Sequence, residues 1–172
     1  MIAALRRRRP GLRIDLFTTA PGWFFADSLG APVVDAIVDE RDAPLPDAPL
    51  RRHPIAVDLG LVQRDALRAD PVATAAQLDV LELLGDASVD RLARHFDRAL
   101  APGAPVVCDI APAGLRAAAR SGRRAVLVEN FTWDWIYAAY APTLDRHADA
   151  MRRAARCWAR STSTPTRASR WS

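Results

Sequence analysis

The order of apolar and polar positions predicts alternating strands and helices along most of the chain. Residues 1–10 have the pattern of a helix end, which Pro10-Gly11 terminates. Residues 12–18 alternate apolar and polar side chains at their start and predict a strand. A turn and a short helix are predicted over 19–30, with Trp23, Phe24 and Phe25 available for packing, and a second strand is predicted over 32–38. This alternation of strand and helix is typical of an α/β domain.

The middle of the chain predicts a long loop followed by two helices. Residues 40–54 are rich in Pro, Asp and Arg, which favours a loop. Asp70-Pro71 then supplies an N-cap residue and a proline at the first helical position. Apolar residues at helical spacing continue this helix: Leu78, Leu81 and Leu84. A second stripe predicts another helix: Val89, Leu92, Phe96 and Leu100. Gly85 lies between the two stripes as a kink or a break.

Residues 105–128 predict a strand, a helix and a second strand. The apolar run 105–110 is followed by an alanine-rich helix over 113–120, and Gly122 is placed to end that helix. Residues 125–128 form the next apolar run. A strand, a short helix and a strand make a right-handed crossover between parallel strands. We therefore expect an α/β fold, a three-layer Rossmann-like domain with a mostly parallel sheet.

The last part of the chain predicts two helical pieces and a tail. A helix begins after Asn130, with Thr132 as a plausible N-cap, and Pro142 interrupts it. An amphipathic piece follows and extends to Trp158. From Ser161 onward the sequence has no periodicity and few apolar residues, which favours disorder. The predicted division is one domain over 1–157 and a disordered tail over 158–172.

The charge distribution argues against nucleic-acid binding. All 24 basic residues are arginine. The ends, residues 1–13 and 146–172, hold twelve arginines and one acid, a net charge of +11, whereas the body 14–145 holds twelve arginines and nineteen acids, a net charge of −7. A nucleic-acid binder carries positive charge on a folded face. For Arg6 to Arg9 we favour a solvated helix end over contact with an anionic membrane surface.

Other composition features predict a cytoplasmic protein without a metal or cofactor. No apolar run approaches the length of a membrane span, and the start of the chain does not have the order of a secretory signal. The three histidines are scattered without metal-ligand spacing, and His147 is expected to be packed. Cys108 lies inside an apolar strand and is expected to be a small buried hydrophobe.

Two acids are placed near the ends of neighbouring predicted strands. Asp109 and Glu129 would share one crevice, because ligands bind at the carboxyl ends of parallel strands. Two carboxylates in different environments can divide acid and base roles. The alternative, which we favour, is that each acid caps the following helix or turn.

The aromatic residues after the last predicted strand are expected to contribute to both the hydrophobic core and a ligand-binding site. Trp133, Ile136, Tyr137 and Tyr140 recur at helical spacing and predict a core-facing stripe. Trp135 and Asp134 lie off that stripe, so Trp135 could line a sugar or another ring-bearing ligand. Asn130 could offer its amide to a hydroxyl group. The sequence contains no G-x-G-x-x-G, G-x-x-x-x-G-K-[ST] or G-x-S-x-G motif.

Four segments carry a family resemblance: 60–66, 106–112, 117–122 and 126–137. With these residues the chain resembles the N-terminal half of GT-B glycosyltransferase-like proteins. It is most similar to the glycosyltransferase-like domain of arabinokinases and its bacterial relatives. A more distant similarity is to the N-acetylglucosaminyltransferase of peptidoglycan synthesis. The resemblance covers about residues 1–157.

The resemblance implies the acceptor-side half of a sugar-nucleotide-dependent glycosyltransferase. It implies that the first strand and the nucleotide-binding half lie outside this sequence. The chain would then be a fragment that is inactive alone. A sugar nucleotide would be a partner only if a second half were supplied. The expected partner is a sugar or glycosyl acceptor, and the family positions to carry over as cleft lining are Asp109, Glu129, Asn130, Trp133 and Asp134. A non-catalytic sugar-binding or interaction module is the alternative, and a small enzyme of another α/β class is the third.

Overall fold

A computed structural model describes residues 2–36 and 44–161, with side chains as far as Arg156. The elements, in chain order, are α1 (Ile2–Arg8), β1 (Ile14–Phe17), α2 (Gly22–Leu29), β2 (Val34–Asp35), β3 (Leu50–His53), β4 (Gln63–Asp65), β5 (Arg68–Ala69), α3 (Pro71–Leu81), α4 (Asp86–Ala99), β6 (Val106–Asp109), α5 (Pro112–Arg120), β7 (Ala125–Val128), α6 (Trp133–Ala138) and α7 (Asp145–Ser161).

The strands confirm the predicted α/β class. Strands β1, β3 and β2 form a parallel sheet in that order, and β6 and β7 form a second parallel sheet. The only antiparallel pair in the described residues is the short hairpin of β4 and β5, which the sequence pattern did not predict. Within those residues the parallel strands thus form two sheets, whereas one was expected.

The predicted strand, helix and parallel strand are confirmed. Strands β6 and β7 are parallel, with Val106 opposite Ala125 and Asp109 opposite Val128. Gly122 has a φ of +65°, the left-handed conformation expected of the residue that ends α5. Helix α5 lies close against β6, since a Cβ added at Gly114 would come within 2.9 Å of the Cys108 sulfur.

The second parallel sheet is covered by helix on one face. Cys108 is buried against Ala111 and Leu115, as expected of a small hydrophobe. Burial raises the pKa of its thiol to about 12. On the opposite face Val107, Val126 and Val128 are exposed. The helical layer expected there does not cover these three side chains.

The loop predicted over 40–54 is wrong at its end, because residues 50–53 form the central strand β3. Its sequence, Leu-Arg-Arg-His, lacks the apolar alternation that identifies a strand. Acids on the neighbouring strands neutralise its arginines: Arg51 pairs with Asp15 of β1, and Arg52 pairs with Asp35 of β2. Residues 37–43, which include the end of the second predicted strand, lie outside the described residues.

The core consists mainly of two clusters. In the first, the predicted stripe of Val89, Leu92 and Phe96 on α4 packs on α5. Burial of each such side chain contributes about 1.5–3 kcal/mol. Gly85 separates α4 from α3, which ends at Leu81 and does not include Leu84. The predicted N-cap is confirmed, since the Asp70 carboxylate accepts a hydrogen bond from the Ala73 amide.

The second cluster joins the C-terminal helices to α3. It contains Leu78, Tyr137, Leu144, Ala148 and Met151. Helices α6 and α7 are separate, as the proline between them predicted. The disordered tail was predicted over 158–172, but residues 158–161 continue helix α7. The rest of the predicted tail lies outside the described residues.

Two other packing predictions have opposite outcomes. His147 is partly buried near Asp79 and lies beside the apolar face of α7, as expected. Trp23 and Phe24 of α2 were expected to be available for packing, but both side chains remain largely exposed.

Candidate functional site

The candidate site is the carboxyl rim, which we define as the carboxyl ends of β6 and β7, the first turn of α6 and the segment 58–60. Asp109 is the last residue of β6 and lies opposite Val128, the last residue of β7. Glu129 follows directly, so both acids lie at the same edge of the sheet, as predicted. Both side chains are exposed.

Neither acid caps a helix, so the capping interpretation favoured from the sequence is wrong. The N-cap of α5 is Ala111, and the N-cap of α6 is Thr132, which has the predicted position but makes no side-chain capping hydrogen bond. Within the described residues, neither Asp109 nor Glu129 has a hydrogen bond or an ion pair. Both carboxylates therefore remain open to a ligand at the rim.

The backbone after Asp109 is strained. Ile110 has a φ of +53°, a left-handed conformation that is uncommon for a β-branched residue. Its amide donates to the Val128 carbonyl at 3.1 Å, so the strand pairing continues one residue further. The chain then turns at once into α5. Strain of this kind costs about 1–3 kcal/mol and is concentrated at functional sites.

An aromatic stack forms one wall of the rim. The rings of Trp133 and Tyr137 stack with centroids 5.7 Å apart, and Phe131 meets Trp133 edge-on. Tyr137 is fully buried, and its hydroxyl donates a hydrogen bond to the Leu59 carbonyl. The Trp133 ring lies over Gly60, where an added Cβ would be 3.6 Å from the ring. The predicted core-facing stripe is confirmed, and Trp133 also contributes to the rim.

Asp58 is the residue that the sequence analysis missed. Burial raises the pKa of its carboxyl group, and the nearby charge of Asp109 raises it further, while the Trp133 indole N–H partly opposes the shift. In the described residues that indole nitrogen is buried and has no acceptor within hydrogen-bond geometry. Asp58 also helps burial to raise the pKa of Tyr137. The rim therefore holds a half-buried carboxyl group beside an exposed one.

The other predicted site residues lie around this pair. Trp135 has 71% of its surface exposed, so its indole face is available to a ligand. Asp134 is partly buried, and its carboxylate is 3.5 Å from the Arg152 guanidinium. Asn130 is exposed at the end of β7. Asp109, Glu129 and Asn130 therefore lie near the start of α6, while Asp134 is turned towards α7.

The buried acid of the first sheet has a different character. Asp15 accepts two hydrogen bonds from Arg51, at 2.7 and 2.9 Å, and one contact of 2.8 Å from His53. A surface cavity of about 450 Å³ lies beside this group. Of the three arginines that line it, Arg51 and Arg13 are paired with acids and Arg98 is not free either, so we assign this region a structural role.

No group of His, Cys, Asp and Glu side chains in the described residues could hold a metal ion. No helix there has the length and apolar character needed to cross a membrane.

Comparison with known proteins adds one relationship. The chain is similar over part of its length to a sugar kinase. The relative is an L-arabinokinase of Arabidopsis thaliana, 33% identical over 98 residues. The match covers 57% of this chain but only 9% of the relative. No protein-family model matches the chain, and no solved structure matches it. The match supports a distant relationship to a protein of sugar metabolism.

Proposed function

We propose that the chain is the acceptor-binding part of a glycosyltransferase-like protein, and that a sugar or glycosyl acceptor binds at the carboxyl rim. One observation carries the proposal: Asp109 ends β6 and Glu129 follows β7, so two exposed carboxylates lie at the same edge of a parallel sheet. Ligands bind at this edge in open parallel sheets. The distant relationship to a sugar kinase supports a sugar as the ligand.

The rim offers the two kinds of contact that sugars use. Carboxylates of Asp109 and Glu129 accept hydrogen bonds from hydroxyl groups, and the Asn130 amide can both donate and accept. The exposed face of Trp135 offers flat apolar surface to the C–H groups of a sugar ring. We assign these residues to binding rather than to chemistry.

Glycosyl transfer would require a second half that binds the sugar nucleotide. Holding both reactants in one geometry supplies much of the reduction in the barrier to transfer. This sequence has neither of the phosphate-binding glycine motifs G-x-G-x-x-G and G-x-x-x-x-G-K-[ST]. We therefore expect the chain alone to bind an acceptor without turning over a sugar nucleotide. Its cytoplasmic location remains a prediction.

Ligand-observed NMR with a panel of neutral monosaccharides tests the proposal. Trp135→Ala and Asp109→Asn should each weaken binding. Trp23→Ala is a matched control, because Trp23 is 66% exposed on another helix, and this variant should bind normally. Equal loss in Trp135→Ala and Trp23→Ala, or absence of any sugar binding, would contradict the proposal. Release of nucleoside diphosphate from a sugar nucleotide, in step with a glycosylated product, would contradict the expected inactivity of the chain alone.

A further inference from the structure

The second parallel sheet has an open face that carries apolar side chains. Val107 of β6 lies opposite Val126 of β7 on this face. Val128 lies two residues further along β7, opposite Asp109. All three valines are exposed, so no helix in the described residues covers them. Parallel sheets are normally covered on both faces. This face, which we call the valine face, is therefore an unpartnered apolar surface.

Charged side chains of opposite sign lie at the two ends of the valine face. The Arg124 carbonyl accepts the Val106 amide at 2.9 Å, so the strand pairing extends to Arg124. Because side chains alternate along a strand, Arg124 lies on the same face as Val126. Asp109 lies on that face at the opposite, carboxyl end. Both side chains are exposed, and neither has a hydrogen bond or an ion pair in the described part of the chain.

These two charges are too far apart to pair within one molecule. The register places Arg124 level with Pro105 of β6, four residues before Asp109. At about 3.3 Å per residue, the two positions are separated by about 13 Å along the strands. Each charge therefore lacks a partner on its own sheet.

A second copy of the chain can supply both partners. When two valine faces pack with their strands antiparallel, the amino end of each lies over the carboxyl end of the other. Packed sheets are about 10 Å apart, a gap that an arginine and an aspartate side chain together can span. Arg124 of each copy then reaches Asp109 of the other, one strand across, and the valines meet between these pairs. With parallel strands, like ends coincide and the pairs do not form.

We propose that the valine face is a self-association surface, on which a second copy of this chain packs with antiparallel strands and two Arg124–Asp109 ion pairs. The arrangement has two-fold symmetry, so the same residues serve both copies. Two short strands offer far less than the roughly 800 Å² per partner of a standard interface, so the dimer should be weak, with a Kd of roughly 100 μM. Asp109 also belongs to the proposed acceptor site, so self-association and acceptor binding should compete for it.

Sedimentation velocity of the full chain tests the proposal, at low salt, without sugar and over concentrations that bracket this Kd. Val126→Asp should abolish the dimer, because it places a carboxylate at the centre of the contact. Val80→Asp is the matched control, since Val80 is 84% exposed on α3, and this variant should self-associate as the wild type does. A wild-type chain that stays monomeric throughout, or equal losses in the two variants, would overturn the proposal.

Charge reversal tests the antiparallel arrangement. Arg124→Asp and Asp109→Arg should each weaken self-association by roughly tenfold or more, because each places like charges opposite one another. The double variant should recover most of the wild-type affinity, since the pairs form again with their signs exchanged. Arg9→Asp, at an exposed position just beyond α1, controls for net charge and should leave the affinity unchanged. A double variant as weak as the single variants would refute the proposed pairing.

The outcomes are independent of the proposed function. Thermal melting checks that each variant is folded, and the charge-reversal series decides the result if Val126→Asp does not fold. Because these measurements omit sugar, a monomeric chain would leave the proposed acceptor site standing. Failure of every sugar to bind would in turn leave the self-association surface standing.

Discussion

Replacement of Arg51 by methionine should destabilise the fold more than any other single change to an ion pair of the described residues. Arg51 is 4% exposed and its partner Asp15 is 5% exposed. Besides its two bonds to Asp15, Arg51 donates to the Ala99 carbonyl at 2.8 Å. The guanidinium thus connects β1, β3 and the end of α4.

The expected loss follows from what Arg51→Met leaves behind. Asp15 would keep one partner, His53, and the Ala99 carbonyl would lose its donor. Removing one member of a buried ion pair costs about 3–5 kcal/mol in the free energy of unfolding. For a domain of this size that loss lowers Tm by roughly 6–20 °C.

The assay is urea unfolding followed by circular dichroism, with Arg13→Met as the matched control. Arg13 also pairs with an aspartate distant in sequence, Asp47, but these side chains are 55% and 93% exposed. An exposed pair contributes about 0–1 kcal/mol. Asp15→Asn added to Arg51→Met should restore much of the loss, because it removes the uncompensated buried charge. Equal costs for Arg51→Met and Arg13→Met, or further loss in the double variant, would refute this reasoning.

The pH dependence gives an independent check. Burial raises the pKa of Asp15, but hydrogen bonds from His53 and Arg51 outweigh it and leave the pKa below the ordinary value of 3.8. A lowered folded-state pKa means that this group stabilises the fold above pH 3.8, and that the contribution is lost as the pH falls through the folded-state value. Arg51→Met should reduce this acid-dependent part of the unfolding free energy, whereas Arg13→Met should leave it intact.

Three further predictions concern the packing and charges behind the rim. Tyr137→Phe removes the donor to the Leu59 carbonyl and should cost about 1–3 kcal/mol in urea unfolding, with little change in the circular dichroism spectrum. Gly114→Ala should cost about 1–3 kcal/mol, because the new methyl group meets the Cys108 sulfur, and a double-mutant cycle should show that Cys108→Ala relieves most of this cost. Because the pKa of Asp58 is raised in the folded state, folding favours the protonated form of this side chain. The free energy of unfolding should therefore decline as the pH rises from 3.8 through the folded-state pKa. Asp58→Asn should remove that decline in pH-dependent thermal melts, and an unchanged profile would show that Asp58 is not the group responsible.

The sequence predicts best where the structural signals are local. The strand 106–109, the helix that begins at Pro112 and the glycine that ends it each carry their own signal within a few residues. The rim position of Asp109 and Glu129 follows from that unit alone. These features could therefore be placed before any long-range contact was known.

Strand β3 could not be predicted because its stabilising partners are distant in sequence. Arg51 is compensated by Asp15, 36 residues earlier, and Arg52 by Asp35, 17 residues earlier. Without these partners Leu-Arg-Arg-His has the composition of a solvated loop. Only the parallel register, which places each arginine opposite its acid, makes this a central strand.

Asp58 was missed for a related reason. It follows β3 outside any regular element, and its relation to Asp109 depends on how the chain passes from the first sheet to the second. One local signal was available: an acid between two apolar residues, Val57 and Leu59. The Trp133 ring lies against Gly60, and this contact brings the segment 58–60 to the rim.

Asp15 and Asp58 show how a buried aspartate with a structural role differs from one with a proposed functional role. Both lose solvent on folding, yet the pKa of Asp15 is lowered and the pKa of Asp58 is raised. Asp15 is surrounded by donors that compensate its burial, so a ligand could add nothing to it. Asp58 has another carboxylate and an indole N–H outside bonding geometry as neighbours, so its burial is poorly compensated within the described residues. Burying such a carboxylate without compensating donors costs stability. A ligand whose hydroxyl groups donate hydrogen bonds to it would offset that cost. Together with the exposed carboxylates of Asp109 and Glu129, which have no hydrogen bond in the described residues, the opposite pKa shifts favour the proposed site at the carboxyl rim over the group around Arg51.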